Sequence, residues 1–142
     1  MRSVFMFFLL LVSVSLILMG CSDENWEDSF DKTEKIEVTQ SGESETIAEI
    51  TDKQKIKEFI NSLNVNKWNS KELPEDAIED KKYKMYQGDT TKLLEKGKDK
   101  ELNEVADITT YKNVPYINFN FKGISFSFEV PADVDKFLLE YK

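Results

Sequence analysis

Few residues in this sequence could do covalent or metal chemistry. The 142 residues include no histidine and a single cysteine, Cys21. Composition therefore excludes an imidazole general base, a histidine metal ligand and a Ser-His-Asp triad. The 27 acidic residues could supply a carboxylate pair of the kind that hydrolyses glycosides, but no pair is distinguished by its spacing. The sequence thus predicts no catalytic residue, no metal ligand and no cofactor.

Cys21 lies at the end of an apolar segment. Residues 4–19 are apolar except for two serines, which is typical of a secretory signal peptide. The segment closes with Leu18, Met19, Gly20 and Cys21, which resemble the lipobox of bacterial lipoproteins. The resemblance implies that a signal peptidase recognises Leu18, Met19 and Gly20, and that a diacylglycerol is attached to the thiol of Cys21. Met19 departs from the pattern, which usually has a smaller residue there.

Lipidation would make Cys21 the attachment point to the membrane. Two acyl chains hold a protein stably, whereas one does so only marginally. A lipidated Cys21 leaves no thiol for catalysis, for a disulfide or for binding a metal. The alternative is an uncleaved membrane helix over the same residues, with an incidental cysteine. We favour the lipoprotein because the cysteine ends the apolar run and an acidic stretch follows at once.

The charge balance also restricts the partners. The formal net charge is −8, which opposes nucleic-acid binding, because phosphate contacts depend on lysine and arginine. It equally opposes attachment to anionic lipid through a basic cluster. We therefore expect no nucleic-acid partner, and a membrane contact that runs through the lipid on Cys21.

Three weaker patterns have ordinary structural explanations. Residues 29–32 fit the Ser-x-x-Lys motif of penicillin-recognising acyl enzymes, but they precede the domain. The acidic residues between positions 75 and 80 suggest a Ca²⁺ site, but they lack EF-hand spacing, so we interpret them as a solvated loop. Residues 111–116 form a turn flanked by tyrosines, which could present a recognition edge but fits loop packing better.

Two amphipathic helices are predicted. Thr51 is the expected N-cap of the first and Gln54 completes a capping box, while Pro131 opens the second. In both helices the apolar residues recur at helical spacing, and they are Ile56, Phe59, Ile60 and Leu63, then Val134, Phe137, Leu138 and Tyr141.

Strands account for most of the remaining pattern. Alternation predicts a hairpin around residues 36–50, a strand near residues 83–88, a weaker one at 105–111, and a hairpin over 117–130 with a Lys122-Gly123 turn. In this second hairpin, six apolar residues pair across the strands and should share one buried face. They are Ile117, Phe119, Phe121, Ile124, Phe126 and Phe128. Residues 65–70 suggest a short strand, Pro74 a turn of helix, and residues 90–104 an exposed connection.

These elements predict an α+β fold in which two helices pack on one face of an antiparallel sheet. We expect a signal peptide over residues 1–20, the lipidated cysteine with a flexible acidic tether over 21–35, and a single domain over 36–142. Trp26 and Phe30 are unusual in a tether, and they either dock on the domain, touch the bilayer interface or are incidental. Beyond the lipobox, the chain loosely resembles small uncharacterised lipoproteins of Gram-positive bacteria, in the Ile50-Thr51-Asp52 helix start, Trp68, a late strand and a closing helix.

The functional expectation follows from what the composition lacks. A compact sheet domain without catalytic residues suggests a non-enzymatic binding or interaction module, held at the extracytoplasmic face of the cell membrane. We expect a monomer with an unidentified protein or envelope partner. Two alternatives remain open, a carboxylate-dependent hydrolase of the cell wall and a structural component of an envelope complex.

Overall fold

One antiparallel sheet of seven strands organises the domain, with two helices on one of its faces. A computed structural model describes residues 30–88 and 101–142. Within these ranges no helix is long and apolar enough to cross a membrane. The α+β fold with two helices on one face of an antiparallel sheet is therefore confirmed.

Strand order differs from chain order at two places. The order across the sheet is β2-β1-β4-β5-β6-β7-β3, and all neighbours are antiparallel. The strands are β1 (Lys35–Gln40), β2 (Thr46–Ile50), β3 (Asn69–Ser70), β4 (Glu79–Gly88), β5 (Leu102–Tyr111), β6 (Tyr116–Phe121) and β7 (Ile124–Glu129). The helices are α1 (Lys53–Ser62) and α2 (Ala132–Glu140). Both α1 and the loop that follows it lie in the connection from β2 to β3, which joins the two edges of the sheet.

Helix α1 forms as predicted but begins at a different cap. Asp52, not Thr51, is the N-cap, and its carboxylate accepts a hydrogen bond from Lys55 N at 2.9 Å. Gln54 donates to Glu58 at 3.1 Å instead of completing a capping box. The prediction was wrong here because Thr51 and Asp52 are both good caps, and the stronger carboxylate lies one residue further on. After the helix, which ends at Ser62, Asn64 adopts a left-handed backbone with φ 44°.

Helix α2 is fastened to the sheet at its carboxyl end by β4. The hydroxyl of Tyr83 donates to Leu138 O at 2.5 Å. Nζ of Lys81 donates to Leu139 O at 2.7 Å and to Tyr141 O at 2.8 Å. These carbonyls have no partner within the helix, and a cation there also opposes the negative end of the helix dipole. A buried lysine and a buried tyrosine thus hold α2 in place.

The β6–β7 hairpin has the predicted register. Phe119 is opposite Phe126, and Phe121 is opposite Ile124. Lys122 and Gly123 both have positive φ, 49° and 81°, as a type I′ turn requires. The prediction that all six apolar residues are buried is wrong, because Ile124 is 60% and Phe126 44% exposed. Neither side chain belongs to the core cluster.

The core includes Phe30, a residue of the predicted tether. Phe30 is buried, and its ring stacks on Phe119 with 5.5 Å between centroids. Its edge also meets Trp68 at 6.4 Å, and Glu34 N donates to Tyr86 O at 2.9 Å. Residues 30–35 therefore pack against the domain, which is the docked arrangement that the sequence left open for Phe30.

Two further local predictions differ from the structure. Pro74 begins a turn, closed by Ala77 N donating to Pro74 O at 3.1 Å, and no helix follows. Residues 65–70 divide into a short 3-10 helix and the two-residue strand β3. The predicted exposed connection at 90–104 ends earlier, because β5 begins at Leu102, and residues 89–100 lie outside the described ranges.

Phe119 and Phe126 are paired across the hairpin but differ in burial, so a charged substitution should affect stability differently at the two positions. Phe119→Asp puts an unpaired carboxylate into the core and should lower the free energy of unfolding by more than about 4 kcal/mol, enough to unfold a small domain. Phe126→Asp should cost about 1 kcal/mol, because its side chain is already half in water. Asn118→Asp, on the other face, should melt like the unmodified protein. Equal thermal melting of the two Phe variants would contradict this assignment of burial.

Candidate functional site

The residues that the lipobox singles out, Leu18, Met19, Gly20 and Cys21, lie outside the described residues, as does Ser29. Of the Ser-x-x-Lys segment, Asp31 and Lys32 are described, and both are exposed on the wall of a groove. This groove is lined by residues of both α1 and the segment before β1, and it is the candidate site.

The groove lies between helix α1 and the segment of residues 30–34. It encloses about 620 Å³, within the range of small-ligand pockets. One stripe of α1 forms a wall, since its lining positions fall three and four residues apart on one side of a helix. The lining residues on α1 are Lys53, Ile56, Lys57, Ile60 and Asn61, and the end of β4 adds Gln87 and Gly88.

The lining of this groove combines an apolar floor with charges of both signs. Phe30, Ile56 and Ile60 supply the apolar surface. The wall of residues 30–34 carries the charged side chains of Asp31, Lys32 and Glu34, and the α1 wall carries the ammonium groups of Lys53 and Lys57. A smaller recess of about 320 Å³ continues past Asn61 towards the end of α1 and shares Phe30 with the groove. Such a surface suits an extended ligand with both charges, such as a peptide.

The acidic cluster at residues 75–80 is divided between a loop and a strand. Glu79 accepts from Ser41 Oγ at 2.5 Å, and Asp80 accepts from Gln40 Nε2 at 3.1 Å. Glu75 and Asp76 lie in the exposed turn that precedes β4. Within residues 30–88 and 101–142, no three acidic side chains converge as metal ligands.

The turn at residues 111–116 is hydrogen-bonded to the loop before β4. The side chain of Asn113 accepts from Ile78 N at 2.9 Å and donates to Asp76 O at 2.8 Å. Lys112 N also donates to Ile78 O at 2.8 Å. Tyr111 is buried. These contacts fit the loop-packing interpretation of the turn.

The sheet face away from the helices is polar and carries a network around Glu37. Its carboxylate accepts from Lys35 Nζ at 2.8 Å and from the Tyr86 hydroxyl at 2.6 Å. These two bonds hold the pKa of Glu37 below its usual range, while burial, with the hydrogen bond to Glu37, raises the pKa of Tyr86. Lys35 Nζ also lies 4.8 Å from the Tyr86 ring centroid. The network joins β1 and β4 and is a structural feature.

Asp107 is the group on this face that most resembles a catalytic acid. Burial raises its pKa, although Lys82 and Lys84 act in the opposite direction. Lys82 Nζ is 3.9 Å from its Oδ1, and its cross-strand neighbours are Lys84 and Asn120. A retaining or inverting hydrolase needs a second carboxylate facing the first, and the described neighbours in this row are a lysine and an amide.

Sequence reasoning missed the groove because its walls come from distant parts of the chain. The α1 stripe was readable from helical spacing, since Lys53, Lys57 and Asn61 flank the apolar positions. The opposite wall was assigned to a tether, and only the burial of Phe30 brings it against α1. No local pattern marks residues 31–34 as a surface of the domain.

The Glu37 network predicts a stability difference that depends on pH. A carboxyl whose pKa is lowered by folding stabilises the native state above its unfolded value, 4.5, and loses that contribution as the pH falls through the folded value. Glu37→Gln should therefore be about 0.5–1 kcal/mol less stable than the unmodified protein at pH 7. The gap should close in acid.

Urea unfolding between pH 7 and pH 3 would measure this difference. The matched control is Glu49→Gln, since Glu49 is 3.7 Å from Lys35 Nζ and half exposed, and it should show a smaller gap. A Glu37→Gln gap that stays constant over the pH range would contradict the assigned network.

Comparison with known proteins assigns no family to this fold or groove. No protein-family model, no curated protein and no solved structure matches the chain.

Proposed function

We propose that this chain is a lipid-anchored binding module on the extracytoplasmic face of a bacterial cell membrane. Residues 1–20 would be the signal peptide and Cys21 the lipidated residue. The observation that carries the proposal is the single cysteine at the end of the apolar run, in the sequence Leu18-Met19-Gly20-Cys21.

The position of Phe30 supports a short connection to the membrane. Phe30 belongs to the core and lies nine residues after Cys21. A fully extended chain of that length reaches about 30 Å. Lipid on Cys21 would therefore keep the domain close to the bilayer, with the groove on α1 beside the point of attachment.

The groove is the proposed binding surface. It combines an apolar floor with carboxylates and ammonium groups, and its volume is sufficient for a few residues of an extended chain. An envelope peptide or a polymer with both charges has the matching chemistry. The proposed role is recognition, because neither a histidine nor a cysteine lines the groove.

Two alternatives have distinct requirements. A carboxylate-dependent hydrolase would use Asp31 and Glu34, the acids that line the groove. A structural component of an envelope complex would need an apolar patch on the open sheet face, where the central positions of β4 and β5 instead carry lysine, aspartate and threonine.

The anchor proposal predicts the behaviour of a Cys21→Ala variant. In cells fed labelled palmitate, the unmodified protein should incorporate label and sediment with membranes, and Cys21→Ala should incorporate none. Mass spectrometry of the mature protein should give an N-terminus at Cys21 with a diacylglycerol. An intact Met1 with an unmodified thiol would identify residues 1–20 as a membrane helix and refute the proposal.

The binding role predicts retention without turnover. Incubated with purified peptidoglycan, the protein should release no soluble fragments over a day, with or without a chelator. The matched variants Asp31→Asn and Glu34→Gln should behave identically in this assay. Release of fragments that is lost in either variant would establish the hydrolase alternative instead.

A further inference from the structure

The β6–β7 hairpin presents apolar side chains to solvent at one end of the sheet. Ile124 is 60% and Phe126 44% exposed, and Phe121 beside them is half-buried. By register these three lie on the face that carries the core, opposite or next to the buried Phe119. We call them the hairpin surface. Aromatic and branched side chains at this exposure mark a contact region more than a stray residue.

The edge of the sheet is also open beside this surface. Strand β3 pairs with β7 only at Asn69–Glu129 and Ser70–Phe128, and Lys71 N continues this contact by donating to Ser127 O at 3.2 Å. Among the described residues, no strand continues along β7 from Ile124 to Phe126. Sheet edges are normally covered or charged, and residues 124–126 carry no charged side chain.

The hairpin differs in charge from the rest of the chain. No Asp or Glu lies between Asp107 and Glu129, in a sequence that has 27 acids. Lys112 and Lys122 are the charged residues of that stretch, and Glu129 at its end is paired with Lys71. Anionic lipid headgroups repel acidic surfaces, and residues 108–128 carry no carboxylate side chain that would cause such repulsion.

The hairpin surface also lies next to the point where the chain from Cys21 meets the domain. The Phe30 ring stacks on Phe119 at 5.5 Å. Phe119 in turn stacks on Phe121 at 6.3 Å and faces Phe126 across the two strands. A lipid on Cys21 would therefore tether the domain through a residue that packs directly beside the hairpin surface.

We propose that the hairpin surface is a second membrane contact, in which Phe121, Ile124 and Phe126 enter the bilayer interface and fix the orientation of the domain. This inference rests on the proposed lipid anchor, which supplies the proximity that three side chains alone would not. With the hairpin end down, the groove on α1 lies near the membrane, where it would meet segments that emerge from the bilayer. The remaining acidic surface faces away from the headgroups.

Site-specific fluorescence on the full lipidated chain tests the contact. The Ile124→Cys variant is labelled with bimane, which reacts with residue 124 alone because the thiol of Cys21 is blocked by the lipid. The labelled protein is then reconstituted into vesicles of phosphatidylcholine and phosphatidylglycerol. The matched control is Ile47→Cys, which is similarly exposed, at 46%, on β2 at the far end of the sheet. Lipids brominated in the acyl chains should quench the label at residue 124 at least twofold more than the label at residue 47.

A second pair of variants separates docking from folding. Phe126→Asp, added to the labelled protein, should abolish the excess quenching at residue 124, whereas Ser127→Asp on the opposite face should leave it unchanged. Circular dichroism confirms that both remain folded. Equal quenching at residues 124 and 47, or quenching that survives Phe126→Asp, would overturn the proposal.

The same samples distinguish failure of the anchor from failure of the contact. Mass spectrometry reports the lipid on Cys21 independently of the label. A lipidated protein without quenching at residue 124 would overturn the membrane contact and leave the anchor standing. Shielding of the label from iodide that grows with protein concentration, without lipid quenching, would instead assign the edge to a second copy of the chain and equally overturn the proposal.

Discussion

A seven-stranded sheet is wider than the two helices that cover it, and the arrangement of this domain follows from that mismatch. Strands about 4.8 Å apart give a sheet roughly 29 Å across, whereas two helices, each about 10 Å in diameter, cover about 20 Å. Apolar side chains on the uncovered part must find another cover or remain in water. Phe30 and Trp68, which contact Phe119, cover the middle of this region. Ile124 and Phe126 remain exposed.

Residues 30–34 help to cover the apolar sheet face that the helices leave open, and this affects the candidate site. The segment that fills the gap also forms one wall of the groove on α1, and it is the segment nearest to Cys21 in the chain. Packing of Phe30 therefore brings the groove, the hairpin surface and the connection to residue 21 to the same end of the domain. A protein anchored at Cys21 would present both surfaces close to its membrane.

The opposite sheet face is stabilised in a different way. Thr39, Asp107 and Thr109 are buried there. Lys82 is the cross-strand partner of Thr39 and of Thr109, and its Nζ is 3.9 Å from Oδ1 of Asp107. Charged and hydroxyl groups are paired across strands, as in the contact of Glu37 with Tyr86 at 2.6 Å. Among the described residues no buried side-chain nitrogen or oxygen lacks a partner, so the face is polar without a cost from unsatisfied groups.

The sequence by itself determined the elements whose signal is local. The period of two in residues 117–128, the Lys122-Gly123 turn and the helical stripes of α1 and α2 follow from side-chain spacing and backbone preference, and they predicted the α+β fold and the hairpin register. The composition likewise excluded imidazole and thiol chemistry in the domain. Tertiary structure alone decided burial and the candidate site. Lys81, which lies in a charged stretch of the sequence, is buried and caps α2. Phe30, which was assigned to the tether, belongs to the core. Phe126 is exposed although it is opposite the buried Phe119. Spacing shows which face a side chain takes, but its cover depends on contacts between residues far apart in the chain.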